Sequence, residues 1–172
     1  MKKIITCLLI AAALLVGTAS PASAATMSPL KPEGQPMMAV YHVSDAEIDM
    51  LAQLVWGEAR GVKSKAEQAA VVWCVLNRVD DDRWGGTIEE VVTQSAQFCY
   101  NKRFPVKAHL RELAEDVVGR WVDEKLGGED VGRVLPREYC FFAGRDGHNW
   151  FRMQYEGDGT YWDWSLPDPY HE

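Results

Sequence analysis

The stretch Ser44-Asp45-Ala46-Glu47-Ile48-Asp49-Met50-Leu51-Ala52-Gln53-Leu54-Val55-Trp56-Gly57-Glu58-Ala59-Arg60-Gly61 decides how the rest of the chain is read. Its first four residues form a capping box, with Ser44 as N-cap and Glu47 at the third helical position, so a helix starts there. Ile48, Leu51, Ala52, Val55 and Ala59 then recur at three- and four-residue spacing and mark one buried face. Glu58 stands three residues after Val55, four after Leu54 and seven after Leu51, which places it beside that face rather than opposite it. A carboxyl partly removed from water has a raised pKa, and a general acid working near neutral pH needs that property. The bland alternative is a rim glutamate paired with Arg60 or Arg78.

Working outward, Ser64-Lys65-Ala66-Glu67 is a second capping box and opens a helix through Ala69, Ala70, Trp73, Cys74 and Leu76 to about Val79. Thr87-Ile88-Glu89-Glu90 starts a shorter third helix through Val91 and Val92, after a loop at Asp80 to Gly86. The longest helix is expected from about Ala108 to Leu126, with Leu110, Leu113, Val117, Trp121 and Val122 or Leu126 on one face and Gly127-Gly128 as its stop. After Gly128 the composition changes to short aromatic runs, at Val134-Leu135, Tyr139 to Phe142, Trp150 to Met153 and Thr160 to Trp164, which read as strands of a small antiparallel sheet. Four helices followed by strands make a segregated α+β domain.

Upstream, Met1-Lys2-Lys3, an apolar run from Ile4 to Gly17 and Ala22-Ser23-Ala24 have the three regions of a secretory signal peptide, residues 1–24. Residues 25–40, rich in proline, read as a flexible tether, which leaves 41–172 as one catalytic-sized domain. Loss of the leader removes Lys2 and Lys3 and leaves 16 basic against 25 acidic residues, a formal charge of −9 that argues against nucleic-acid binding. No later segment is apolar enough to span a membrane, so the mature chain is expected to be exported and soluble; it is also expected to be a monomer. Cys74, Cys99 and Cys140 survive processing. Cys74 reads as a small buried hydrophobe, and a bridge between Cys99 and Cys140 is left open.

Trp56-Gly57-Glu58-Ala59-Arg60-Gly61, followed by Val71-Val72-Trp73-Cys74-Val75-Leu76-Asn77-Arg78-Val79, resembles the spore cortex-lytic (SleB-type) family of cell wall hydrolases. Thr87-Ile88 with Val91-Val92, Gln97-Phe98 and the aromatic run at Tyr139 to Phe142 extend the likeness over roughly residues 45 to 155. The resemblance implies a lysozyme-like α+β fold, a helical lobe before a small β lobe. It also implies cleavage of peptidoglycan glycan strands as a lytic transglycosylase, in the cell wall or spore cortex, with Glu58 as the catalytic glutamate.

One carboxyl suffices for such a reaction. Ordinary glycosidases need two, but a muramyl sugar carries a C6 hydroxyl that can attack its own C1 once the leaving oxygen is protonated, giving a 1,6-anhydro end. No second carboxylate is expected in an equally apolar setting: Asp80 to Asp82 read as a solvated loop, and Glu89 and Glu90 as first-turn acids. Trp56, off the main stripe, is a candidate subsite wall. Gln97 and Asn149 are candidates for acetamido or hydroxyl contacts, and Tyr139 for the C6 hydroxyl or a sugar face; capping and burial are their ordinary alternatives. No cofactor or metal is expected, since His42, His109, His148 and His171 form no His-Glu-x-x-His pair. The rival readings are a metal amidase or a cysteine endopeptidase, the latter with Cys99 and His109 or His148, acting on the stem peptide. A non-enzymatic wall-binding module, built on the aromatic third, is the remaining class.

Overall fold

Four helices precede one antiparallel hairpin, in the order α1 (Asp45–Ala59), α2 (Lys65–Val79), α3 (Ile88–Thr93), α4 (Ala108–Lys125), β1 (Phe141–Arg145) and β2 (His148–Arg152). The expected α+β class, helical part first, is what the chain adopts. The structure, a computed structural model, describes residues 42–156 and 160–171; the signal peptide and tether read from the sequence lie outside the described residues. Among the described residues no helix is long and apolar enough to cross a membrane.

The helix boundaries follow from their caps. Ser44 Oγ accepts from the Glu47 N–H while Glu47 Oε2 accepts from the Ser44 N–H at 2.9 Å, a complete capping box. The second box forms only by half. Ser64 Oγ accepts from the Glu67 N–H at 3.2 Å, but the Glu67 carboxylate turns to the hairpin, where it accepts from the Asn149 N–H and lies 3.1 Å from His148 Nδ1. Thr87 caps α3. At the end of α4, Gly127 takes φ +94°, Gly127 N–H donates to Glu124 O at 3.1 Å and Gly128 N–H to Asp123 O at 2.8 Å. This is a Schellman ending, and the left-handed position explains the glycine. Leu126 is exposed there and Val122 only partly buried.

Helix α2 is the centre of the molecule, packed by α1, α3 and α4. Residues 69–78 are all buried, so no face of that stretch is left to solvent. Polar side chains on such a helix must find partners inside the protein, and those of α2 find them in the C-terminal third. Asn77 Nδ2 donates to the carbonyls of Pro136 (2.8 Å) and Tyr139 (3.0 Å), and its Oδ1 accepts from Arg133 Nη1 at 2.9 Å. Arg78 Nε donates to Cys140 O at 2.7 Å. With Arg78 holding the residue before β1 and Glu67 holding the start of β2, the hairpin is tied to α2 at both ends. Eleven helical residues rise about 16 Å, close to the length of a strand from Cys140 to Arg145.

The β part is smaller than the aromatic runs predict. β1 and β2 pair from Phe141↔Arg152 to Arg145↔His148 around Asp146-Gly147, both at positive φ as a two-residue hairpin turn requires. Thr160 to Trp164 adds a single bridge, Arg152↔Tyr161, because Trp164 at φ +60° leaves the extended region. Val134 and Leu135 are buried without forming a strand. Their carbonyls accept instead from Trp162 Nε1 (2.9 Å) and Arg133 Nη1 (2.9 Å), so side chains take the place of a ladder. Cys140 remains a thiol, buried and 3.8 Å from Arg137 O, and no disulfide joins it to Cys99.

Asn77→Ala leaves two carbonyls and one guanidinium N–H without their partner, and should cost roughly 2–4 kcal/mol of stability in urea unfolding. A loss below about 0.5 kcal/mol, the range of surface changes, would show that these bonds do not hold the two parts together.

Candidate active site

Glu58 occupies the last turn of α1, one position before its end. Leu54, four residues earlier, is fully buried with Leu51 and Val55, so the carboxyl emerges at the margin of the packed face and is itself half-buried. The segment after α3 crosses this end of the helix. Cys99 N–H donates to Glu58 Oε1 at 2.5 Å, while the Cys99 carbonyl lies over Gly57, where a Cβ would stand only 2.0 Å from its oxygen. Gly57 is therefore a helix-interior glycine required by a close backbone approach. Further along, Gln53 Nε2 donates to Lys102 O (3.0 Å) and Phe104 O (2.8 Å), which lays residues 99–104 along the ridge Gln53, Gly57 and Glu58.

Burial pushes the Glu58 carboxyl above its ordinary range; the Cys99 N–H and the charge of Arg78 act in the opposite direction without cancelling it. Neither arginine forms an ion pair with it among the described residues. Arg60 donates instead to the carbonyls of Trp56 (3.4 Å) and Gly57 (3.3 Å), covering the helix end. Glu58 Oε2 has no hydrogen-bond partner among the described residues. The site thus offers a carboxyl with one oxygen held and the other without such a partner, as a proton donor requires.

Arg78 lies behind this carboxyl. It is 3% exposed, with its guanidinium 4.1 Å from the Trp84 ring, 4.5 Å from Phe98 and 5.3 Å from Phe141. Its Nη1 donates to Gln97 Oε1 at 3.1 Å. Cys74, wholly buried beside it, has its thiol pushed up to about 12 by desolvation, a poor setting for a nucleophile.

Of the other residues singled out from sequence, Gln97 is brought to the Glu58 neighbourhood by Arg78, while Trp56, two positions before Glu58 on α1, is half-buried with Lys107 Nζ 5.0 Å from its ring centre. Tyr139 is 7% exposed, edge-on to Trp162 at 5.4 Å. Asn149 is 5% exposed and engaged through its backbone by Glu67, with its Nδ2 buried and unpartnered. No hydrogen bond or ring contact joins Tyr139 or Asn149 to Glu58. The expectation that no second carboxylate sits in an apolar setting is corrected by Glu67, which at 4% exposure is a buried acid on α2. The capping-box reading assigned it to the helix start, whereas the hairpin amide outcompetes that role. Asp80 is also less free than expected, pairing with Lys125 at 2.6 Å and accepting from Trp121 Nε1 at 3.0 Å. Among the described residues no three His, Cys, Asp or Glu side chains converge as a metal site would. Sequence reasoning missed the Cys99 N–H and the clamp around Arg78; the glycine inside α1 was the available signal of a chain crossing there.

Gly57→Ala forces the Cys99 backbone away and should lower stability by about 1–3 kcal/mol. Gly61→Ala, whose Cβ would meet open space, should change it by less than about 0.5 kcal/mol. Equal effects of the two substitutions on the urea midpoint would contradict the close approach.

Residues 63–157 match the family model for cell wall hydrolases, more than half of the 172 residues. The match takes in α2, α3, α4 and the hairpin, with Arg78, Gln97 and Cys99, and begins five residues after Glu58. No curated protein and no solved structure matches the chain. By that match the chain belongs to the cell wall hydrolase family, and its activity is directed at peptidoglycan.

Proposed function

We propose that the protein is an exported, SleB-type lytic transglycosylase that cleaves the bond between MurNAc and GlcNAc in peptidoglycan glycan strands, with Glu58 as its only acid and base. The observation that carries the reading is the Glu58 carboxyl: raised by burial, fixed at Oε1 by the Cys99 N–H and without a partner at Oε2 among the described residues. In the first step the C1–O bond breaks and the leaving oxygen takes the proton of Glu58. In the second, the C6 hydroxyl oxygen of the same muramyl residue bonds to C1, and its proton returns to Glu58. The enzyme ends in its starting state and the glycan ends in a 1,6-anhydro ring.

A two-carboxylate hydrolysis draws less support. The second buried acid, Glu67, already has its oxygens engaged by the Asn149 N–H and His148 Nδ1, and a nucleophile or base needs a free oxygen near the sugar. Of the three thiols, those of Cys74 and Cys140 are raised by burial, which leaves Cys99 as the one a stem-peptide reading would use. On this proposal Trp56 contacts sugar on the Glu58 side of the fold, while Gln97, its Oε1 taken by Arg78 Nη1, acts on the segment beside Glu58. Tyr139 and Asn149 act at one remove, keeping the β part in place.

Glu58→Gln should lower release of glycan fragments from purified sacculi by roughly 10²–10⁴-fold with the fold intact. Mass analysis of the wild-type products should show muramyl ends one water lighter than the hydrated sugar. Undiminished release by Glu58→Gln, or fully hydrated ends from the wild type, would contradict the proposal.

A further inference from the structure

We propose that Arg78 is a positioning residue for Glu58: it holds the backbone of Gln97 to Cys99 so that the Cys99 N–H fixes one carboxyl oxygen and leaves the other to carry the transferable proton. This rests on the reading of Glu58 as proton donor and adds the device that orients it. The geometry lies in three consecutive residues. Gln97 Oε1 accepts from Arg78 Nη1, the Phe98 ring lies against the same guanidinium, and Cys99 N–H donates to Glu58 Oε1. The segment starts from a strained position, since Ala96 sits at φ +61°, a left-handed conformation unfavourable for a non-glycine residue.

Arg78 is itself immobile. Trp84 and Phe141 pack on its guanidinium and Cys140 O takes its Nε–H. Among the described residues it forms no ion pair within 4 Å, and the acceptors its Nε and Nη1 find are neutral and belong to the two segments flanking the site. A planar fork serves this purpose where a lysine, a single point of charge on a flexible stem, does not. The consequence for Glu58 is chemical. A carboxyl accepts a hydrogen bond better at its carbonyl oxygen, so the Cys99 N–H at Oε1 favours the acid hydrogen on Oε2, the oxygen with no partner among the described residues. After the proton has left, the same N–H stabilises the carboxylate.

The test compares wild type with Gln97→Met, which breaks the clamp at a half-buried position, and with Arg78→Lys, which keeps the charge and loses the fork. Amide hydrogen exchange at Cys99, read without substrate, should quicken at least about tenfold in both variants, while the unfolding midpoint of Gln97→Met stays near the wild-type value. With soluble glycan strands, kcat of Gln97→Met should fall about ten- to a hundredfold at unchanged KM. Unaltered exchange at Cys99 in both variants would overturn the proposal, as would a rise in KM at constant kcat, which would make Gln97 a sugar contact. Because exchange is measured on the free protein, it decides the positioning claim even if Glu58→Gln left glycan cleavage intact, a result that would remove only the catalytic reading.

Discussion

A helix buried over most of its length, carrying polar side chains that must be satisfied inside the protein, is the constraint on which the rest of this structure depends. Asn77, Arg78 and Glu67 of α2 cannot reach water, and an unpaired buried donor or charge costs several times what a made hydrogen bond returns. They are satisfied by backbone groups of Pro136, Tyr139, Cys140 and Asn149. Those groups lie in a segment too small to form a core of its own. The two-stranded hairpin would be marginal in isolation, and α2 supplies the surface and the bonds that order it.

The same helix organises the candidate site. Arg78 faces both the hairpin, through Cys140, and the crossing segment, through Gln97 and Phe98. That segment in turn brings a backbone N–H to Glu58. The carboxyl is then affected by opposing influences, of which desolvation is the largest and the Cys99 N–H and Arg78 the lesser. An acid raised by burial, yet still stabilised once ionised, suits a group that must give up a proton and take one back in a single turnover.

Much of this was legible before any coordinates. The capping box at Ser44, the N-cap at Thr87, the stop at Gly127 and the α1 stripe are local features, decided within one or two helical turns, and the structure follows them. The α+β order could be read from the change in composition after Gly128. What could not be read is long-range competition. Nothing local distinguishes Glu67 in a capping box from Glu67 bonded to an amide 82 residues away. Equally, the aromatic runs at Val134 and Thr160 have strand-like content, but their backbone groups are taken by Arg133 and Trp162 side chains or turned aside at Trp164. In the site, Gln97 lies two residues from the amide that binds Glu58, whereas that amide, the Cys99 N–H, is a backbone group and leaves no mark in residue identity except the glycine that the adjoining Cys99 carbonyl requires at position 57.

The central claim is that the fold holds Glu58 as a weakened acid, and its most direct test is a titration of the Glu58 side-chain carboxyl by carbon NMR in selectively labelled protein, assigned by its loss in Glu58→Gln. The account predicts a midpoint above 4.5, the ordinary value for a glutamate, because burial opposes the charged form. A midpoint at or below that value would mean that Arg78 and the Cys99 N–H outweigh desolvation, leaving Glu58 an ordinary ionised carboxylate with no proton to give.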